Sequence, residues 1–270
     1  MPNVSLSNSV RQNLTALQQT ADMMSVSQAR LASGKKVNSA LDNATNFFTS
    51  ESLNGRANDL QGLLDGISNA TKALEAANNA ITAITKLVES AQATVRSAQS
   101  TPSSAAAMVT QFNSIRDQIT DLADDASFNG VNLLNSTTSM KVAFNELTGA
   151  AKNELTVAGV DLSATGLAIT AATTLDDTEA TAKLGLLTTA LSTLRSTASS
   201  FGSNLSIIQA RKDFTKSSIT TLQSGADNLV NADTNQEAAT LLALQTRQQL
   251  SQSALSMANQ QDQSVLRLFS

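Results

Sequence analysis

The sequence between Leu60 and Ala98 places apolar residues at alternating steps of three and four. The repeating positions are Leu60, Leu63, Ile67, Ala70, Leu74, Ala77, Ile81, Ile84, Val88, Ala91, Val95 and Ala98. A repeat that averages 3.5 residues keeps one narrow seam of a helix facing a partner helix along its length. No proline interrupts the seam, so it predicts a helix roughly 60 Å long at about 1.5 Å per residue. Another helix must lie alongside it.

The composition narrows the classes of protein that this chain can form. Its 270 residues are 41% hydrophobic but only 3% aromatic, and they include no Trp, Tyr, Cys or His. A core of Leu, Ile, Val and Ala suits slim helical bundles, and the absence of Cys excludes disulfides and zinc–thiolate sites. With a net charge of -4 and no basic cluster larger than Lys35-Lys36, we expect no nucleic-acid binding. No run approaches the roughly 18 apolar residues of a membrane span, so we expect no membrane insertion.

The N-terminal third carries a second alternation and then a break. The positions of this alternation are Leu14, Leu17, Ala21, Met24, Gln28 and Leu31. Gly34 stops the pattern, and the polar stretch 35–45 has no apolar stripe, so we expect a connector there. The long helix then runs from about Asn46 to Gln99 and ends before Pro102. A further helix follows, with the stripe Ala105, Met108, Phe112, Ile115, Ile119 and Leu122.

The middle of the chain has a different pattern. Asn129-Gly130 is a turn signal, and residues 140–144 and 154–160 alternate like short strands. Asp176-Asp177 then opens another helical region. The sequence therefore predicts a small β region over about 128–170.

The C-terminal part returns to helical periodicity. From Leu187 the alternating positions are Leu187, Leu191, Leu194, Ala198, Phe201, Leu205, Ile208, Lys212, Thr215, Ile219, Leu222, Ala226 and Leu229. The last helix has one stripe of Leu241, Leu244, Gln248, Ser251, Leu255, Ala258, Asp262, Val265 and Phe269, and a second of Leu250, Ala254, Met257, Gln261 and Leu268. Two stripes on one helix indicate contacts with more than one partner, or burial in an ordinary bundle. Periodicity leaves both alternatives open.

These segments predict a mainly α fold. Long helices flank the β region, so the simplest closed arrangement is an antiparallel rod, a coiled coil or bundle of long helices, with a small β-rich tip in the middle of the chain. We expect residues 1–34 and 235–270 to form a terminal coiled coil, 35–45 a connector, and 46–234 a helical rod domain that includes the β region. The terminal seams are thin, so the ends have too little core to be stable alone.

The sequence offers little for catalysis. Without His, Cys or Tyr, acid–base chemistry is left to carboxylates and lysines. The pairs Asp124-Asp125 and Asp176-Asp177 stand where helices end or begin, so solvated or capping roles are expected. We find no catalytic, cofactor-binding or metal-binding residue to name, and we expect a protein that is not an enzyme. The candidates for side-chain modification in loops are Ser136, Thr137, Thr138, Ser139, Thr173 and Thr174, although ordinary loop composition also explains them.

Several short motifs, in order along the chain, resemble the bacterial flagellins. They are LASGKKVNSA at 31–40 followed by DNA at 42–44, FNGVNLL at 128–134, NLVNAD at 228–233 with Glu237-Ala238, ANQ at 258–260 and VLRLF at 265–269. In that family the first block follows the first helix, the second leads into the β region, and the others enter and end the last helix. Together they cover nearly the whole chain and are specific as a set.

The resemblance implies a subunit that polymerises with copies of itself into the flagellar filament. In flagellins the paired terminal helices form the inner layer of the filament and the long middle helices form the surrounding tube. The first residues of the chain show no ordinary secretory signal, and the resemblance implies secretion through the flagellar type III export apparatus with a dedicated export chaperone. Hook-associated and cap proteins would be further partners. The interval 140–175 is too short for large outer domains, so a small flagellin is expected.

The resemblance also directs attention to particular apolar residues. The expected contacts in the inner filament core are Leu14, Leu17, Met24, Leu31, Leu241, Leu244, Leu255, Val265, Leu268 and Phe269. The expected contacts with the export chaperone, by a helix-in-groove mode, are Leu241, Leu244, Leu255, Val265 and Leu268. Residues 1–40 and 235–270 are expected to be disordered in the free monomer and to become helical on assembly.

Two other functions remain open at the level of sequence. A hook–filament junction protein would share the terminal helices, but usually has a more divergent central region. A secreted, monomeric helical adhesin or effector would need a stable core at both ends, which the thin terminal seams do not offer.

Overall fold

The computed structural model of the chain describes residues 8–135 and 138–268. The long elements are α1 (Asn8–Ser33), α2 (Ala44–Ser100), α3 (Ala105–Asp125), α4 (Asp177–Val230) and α5 (Thr234–Leu268). The short strands are β1 (Ser127–Phe128), β2 (Val131–Asn132), β3 (Met140–Ala143) and β4 (Glu154–Val157), with single 3-10 turns at Pro102–Ser104 and Gly149–Ala151. The fold is therefore mainly α with a small β region in the middle of the chain, as the sequence predicts.

The chain divides into two compact units. One holds the residues up to Gly55 together with those from Leu222 onward, and the other is Arg56–Thr221. We call them the terminal unit and the central unit. Helices α2 and α4 contribute residues to both.

The core of the central unit follows the seam of α2. Of its twelve predicted positions eleven are buried, and Leu63 is half-buried. From Ile67 onward, this seam belongs to one continuous hydrophobic cluster that also includes Phe112 and Ile119 of α3 and Leu187 and Leu194 of α4. The narrow apolar seam of α2 is thus covered by other parts of its own chain.

Helices α2 and α4 are antiparallel where they meet. The Nε2 atom of Gln99 donates to Oδ1 of Asp177 at 3.1 Å, and that of Gln92 donates to Oγ1 of Thr188 at 3.5 Å. Lower residue numbers in α2 therefore pair with higher residue numbers in α4. This confirms the antiparallel arrangement of long helices that was expected from the sequence.

The β region consists of two separate hairpins. Strands β1 and β2 pair through a two-residue turn in which Asn129 and Gly130 both have positive φ, 50° and 77°. Two positive φ values in succession define the type I′ turn that Asn-Gly favours, so the turn signal is confirmed. Strands β3 and β4 are also antiparallel, with Met140 opposite Val157. The inward-facing Val142 and Val157 are buried in the cluster of the central unit.

The strands end at Val157, earlier than the predicted limit near 170. The segment 158–176 has no regular strand, yet several of its side chains are buried, including Leu162 and Ile169. Its start is held by backbone bonds, in which Val160 N–H donates to Leu133 O at 2.9 Å and Leu162 N–H to Leu134 O at 2.7 Å, and its later part is held by side chains of the helices. The amide of Asn113 donates to Ala172 O at 2.9 Å and accepts from Ala172 N–H at 2.9 Å. The later part of the segment is therefore ordered by contacts with helix side chains and not by strand pairing.

Candidate subunit interface

The terminal unit is built around α1 and α5, which pack against each other. Ser27 and Arg30, near the end of α1, bond to Glu237 near the start of α5, so the two helices are antiparallel. The first predicted stripe of α5 is buried or half-buried from Leu241 to Ala258. It faces the partner helix as a heptad seam should.

The seam of α1 is more polar than the predicted stripe. Leu17 and Met24 lie on it and are half-buried, but Leu14, Ala21 and Gln28 are exposed. The positions between the apolar ones are filled by Asn13, Thr20 and Ser27, of which the last two are buried. Leu17 and Met24 belong to two possible three–four alternations. The sequence favours the one with Leu14, Ala21 and Gln28, because it is more apolar. In the structure, the alternation with Asn13, Thr20 and Ser27 packs against α5.

A polar clamp fixes the register of this seam. The Ser27 hydroxyl donates to Oε2 of Glu237, and Nη1 of Arg30 lies 3.3 Å from Oε1 of the same carboxylate. Hydrogen bonds to a carboxylate are stronger than neutral ones, and a buried polar contact in a helix–helix seam favours one register over others. We call Ser27, Arg30 and Glu237 the α1–α5 clamp. Sequence reasoning missed it because its members are 207 and 210 residues apart in the chain.

The helix pair keeps large apolar side chains in solvent, and two of them, Met23 and Val26, border the cleft between α1 and α5. On α1 these are Leu14, Met23, Val26 and Leu31, and on α5 they are Leu242, Leu250 and Met257. Leu250 is 66% exposed and Met257 61% exposed, so these two members of the second predicted stripe of α5 do not face α1. An apolar surface of this kind marks a site for contact with other molecules.

The expected core-contact residues therefore fall into three groups. Leu17, Met24, Leu241, Leu244 and Leu255 lie on the α1–α5 seam, and Leu14 and Leu31 lie on the exposed surface of α1. The backbones of Val265 and Leu268 belong to α5, but their side chains, like all of Phe269, lie outside the described residues.

The connector between α1 and α2 is an ordered clasp. Gly34, with φ at 69°, accepts a hydrogen bond from Ala232 N–H at 2.9 Å, and Lys36 N–H donates to Val230 O at 2.7 Å. Lys35 and Asn231 form an antiparallel bridge between these bonds. The clasp joins the end of α1 to the junction of α4 and α5, which sets where α5 begins relative to α1.

Asp42 closes the far side of the connector. Its Oδ2 atom accepts from Asn38 N–H at 2.9 Å and from Ser39 N–H at 3.0 Å. These backbone donors, Asn38 first, hold the pKa of the Asp42 carboxyl below its ordinary value. The loop so formed presents Leu41 with 98% of its surface exposed.

The loop residues considered for modification lie mostly at the surface. Thr138, Ser139, Thr173 and Thr174 are all exposed, whereas Ser136 and Thr137 lie outside the described residues. The Thr174 hydroxyl donates to Oε2 of Glu179, and this bond lowers the pKa of the Glu179 carboxyl. Thr174 is therefore engaged in holding the loop before α4.

Chemical sites are not apparent in the part of the chain that the structure describes. Over residues 8–135 and 138–268, no group of three or more His, Cys, Asp or Glu side chains is placed to hold a metal ion. Within the same residues, no helix is both long and apolar enough to cross a membrane.

Comparison with known proteins finds flagellins along most of the chain. The family model of the bacterial flagellin N-terminal helical region matches residues 4–139, and that of the C-terminal helical region matches residues 184–269. The chain is 34% identical to flagellin FljM of Caulobacter vibrioides over 247 residues, which cover 90% of this chain and 89% of FljM. It is 33% identical to flagellin FljO of the same organism over 273 residues, covering 97% of this chain and 98% of FljO. The match to the crystal structure of Bacillus cereus flagellin covers 54% of this chain and 86% of the Bacillus cereus chain, at 18% sequence identity and a TM-score of 0.47.

Proposed function

The chain belongs to the bacterial flagellins, the subunits of the extracellular flagellar filament, and from this premise we propose that the α1–α5 pair forms the contacts of its filament core. The observation that carries the proposal is the apolar outer face of α5. Leu242, Leu250 and Met257 recur at intervals of eight and seven residues and stay in solvent in the single chain. Covering one such side chain is worth about 1.5–3 kcal/mol when burial is complete. Copies of the same chain can cover all three.

We further propose that the chain is organised as the filament requires. Residues 1–34 with 235–270 form the inner coiled coil, 35–45 the connector, and 46–234 the rod domain around the β region. The continuous core of the central unit supports an independently folded rod domain. The mixed polar and apolar seam between α1 and α5 supports ends that become ordered only when neighbouring copies add further burial.

The test compares two substitutions at adjacent positions of α5. Leu250→Asp places a charge on the exposed apolar face, and burying it between subunits without a partner costs several kcal/mol. Gln249→Asp adds the same charge at an exposed position next to it. We expect electron microscopy to show no filaments of the first variant and normal filaments of the second. Normal filaments of Leu250→Asp, with an unchanged helical circular dichroism spectrum, would remove α5 from the interface.

Export is the second part of the proposal. A chaperone that binds α5 in a groove would take Leu241, Leu244, Leu255, Val265 and Leu268 as anchors. Leu244 is buried, and Leu241 and Leu255 are half-buried, where α5 packs on α1. The same side chains cannot face α1 and a chaperone together, so the chaperone holds α5 before it pairs with α1, and type III export follows.

Truncation after Asp233 tests this order of events. The shortened chain lacks α5 and should lose chaperone binding and polymerisation while its central unit stays helical by circular dichroism. The matched full-length control for chaperone binding is Leu242→Asp, which changes the exposed face of α5 and leaves the anchors intact. If the truncated chain binds the chaperone as tightly as the full chain, the chaperone site is elsewhere.

A further inference from the structure

A half-open cavity lies in the central unit where α2, α3 and α4 meet. Its volume is about 610 Å³, within the range of natural ligand pockets. The walls are mostly apolar and come from Ala98, Pro102, Ala106, Val109 and Leu175, and the acidic residues Asp176 and Asp177 line one side. Its backbone frame is fixed, because the segment before α4 is bonded to Lys183 and Glu179.

The frame of the cavity is unusually well held for an exposed loop. The buried Lys183 Nζ donates to Ala171 O at 2.7 Å and to Thr170 O at 3.0 Å. Glu179 accepts the N–H groups of Thr173 and Thr174 at 3.2 and 3.0 Å. A pocket whose walls do not have to reorganise binds an apolar group without an ordering cost.

The connector offers a matching protrusion. Leu41 is 98% exposed, and Asp42 holds its loop in shape through backbone hydrogen bonds. No other large hydrophobic residue in the described parts of the chain is as exposed. Since Leu41 is almost fully in solvent, it does not occupy the cavity of its own chain.

The charges of the two surfaces are opposite. Lys35 and Lys36 lie in the same connector as Leu41, and both are exposed. The Asp42 carboxylate keeps its negative charge while it accepts the connector N–H groups, so Lys35, Lys36 and Asp42 together leave one net positive charge on this loop. Across the contact, Asp176 and Asp177 are exposed at the cavity. A basic loop with an apolar tip therefore faces an acidic, apolar pocket.

From this complementarity we propose that Leu41 of one copy inserts into the cavity of a second copy. The inference rests on the proposed function, because it names a contact between filament subunits. The two surfaces are different parts of one chain, so the contact is heterologous, and repeated contacts of this kind build an open helical polymer instead of a closed dimer. Lys35 stands beside Asp176 and Asp177 of the neighbour and sets the orientation of the contact, while Nζ of Lys36 donates to Asn228 O of its own chain at 3.2 Å.

Disulfide trapping tests the contact directly, because the chain contains no cysteine. One chain carries Leu41→Cys with Ala106→Cys, which places thiols on the loop tip and on the cavity wall. The control carries Leu41→Cys with Ala150→Cys, an exposed position in another loop of the central unit. After mild oxidation of filaments, we expect the variant with Leu41→Cys and Ala106→Cys to give a ladder of covalent multimers on non-reducing gels. The control should give at most single cross-linked dimers.

A second measurement does not depend on cysteine geometry. Leu41→Asp removes the apolar tip at a fully exposed position, so the monomer should keep its circular dichroism spectrum. Its critical concentration for polymerisation should rise roughly tenfold or more, as expected for losing the burial of one leucine. Leu147→Asp, at another exposed leucine, is the matched control and should change it less.

The outcomes separate this contact from the proposed function. If wild-type protein forms no filaments, the proposed function fails. If filaments form, but the chain with Leu41→Cys and Ala106→Cys gives no ladder and Leu41→Asp polymerises normally, only the Leu41 contact is overturned. A small apolar molecule as the true occupant of the cavity would give that same result.

Discussion

Removing the carboxylate of the α1–α5 clamp should weaken the filament by a calculable amount. Glu237 accepts from the Ser27 hydroxyl and pairs with Arg30, whose side chain is 39% exposed against 15% for Glu237. A partly exposed ion pair contributes up to about 1 kcal/mol, and a hydrogen bond to a charged group about 1.5–3 kcal/mol. Because these two contributions are not additive in full, we expect Glu237→Ala to cost about 2–3 kcal/mol per subunit.

The assay for this prediction is the monomer concentration left in solution at equilibrium with filaments. A cost of about 2–3 kcal/mol raises that critical concentration by roughly 30- to 150-fold. Glu237→Gln keeps a neutral acceptor for Ser27 but loses the ion pair and the charge assistance of the Ser27 bond, so its critical concentration should rise less than that of Glu237→Ala. When Ser27→Ala is already present, adding Glu237→Ala should raise the critical concentration only a little further. A Glu237→Ala protein that polymerises like the wild type would refute the clamp.

Three further predictions concern the ends and the connector. Hydrogen exchange of the free monomer should show weak protection over residues 1–40 and 235–270, since their ordering costs on the order of 1–2 kcal/mol per residue before assembly; strong protection there would contradict this. Leu17→Asp and Leu255→Asp should each abolish filaments and leave the central unit helical by circular dichroism; normal filaments would place these side chains in solvent. The lowered pKa of Asp42 means that its cap is complete above the ordinary carboxyl pKa and is lost as the pH falls through its own lower value. In assembled filaments, the capped N–H groups of Asn38 and Ser39 should exchange more slowly than in Asp42→Ala at neutral pH and equally fast at that acid pH.

The long helices could be predicted because their stability follows from a local pattern. Along α2 the apolar period alone locates the buried face, and nearly every residue of the predicted seam is buried. The Asn129-Gly130 turn could be predicted for the same reason, because its positive φ angles are a property of those two residues. The segment 158–176 could not. Its burial depends on bonds to Asn113 and Lys183, which no local pattern reveals.

The candidate interface was only partly predictable. The α5 seam is apolar enough for its period to identify it, but α1 offers two alternations that share Leu17 and Met24. Choosing between them requires knowing where Glu237 lies, which is long-range information. The sequence did carry one usable signal: Asp233 followed by Gln236 and Glu237 is typical of a helix start. Oδ1 of Asp233 indeed accepts from the N–H groups of Asn235 and Gln236.

The distribution of polar and apolar groups on the terminal helices links pairing to polymer growth. The buried Thr20 and Ser27 occupy seam positions that would hold leucine in a strong coiled coil. The pair therefore gains little hydrophobic stabilisation by itself, while Leu242 and Leu250 keep most of their surface for other molecules. We infer that the helices pair firmly only when neighbours cover those leucines, so that ordering of the ends and addition of a subunit are one event. Thr20→Leu combined with Leu250→Gln moves apolar surface from the exposed face of α5 to the α1–α5 seam and keeps the clamp. This variant should give a monomer with ordered ends that no longer polymerises.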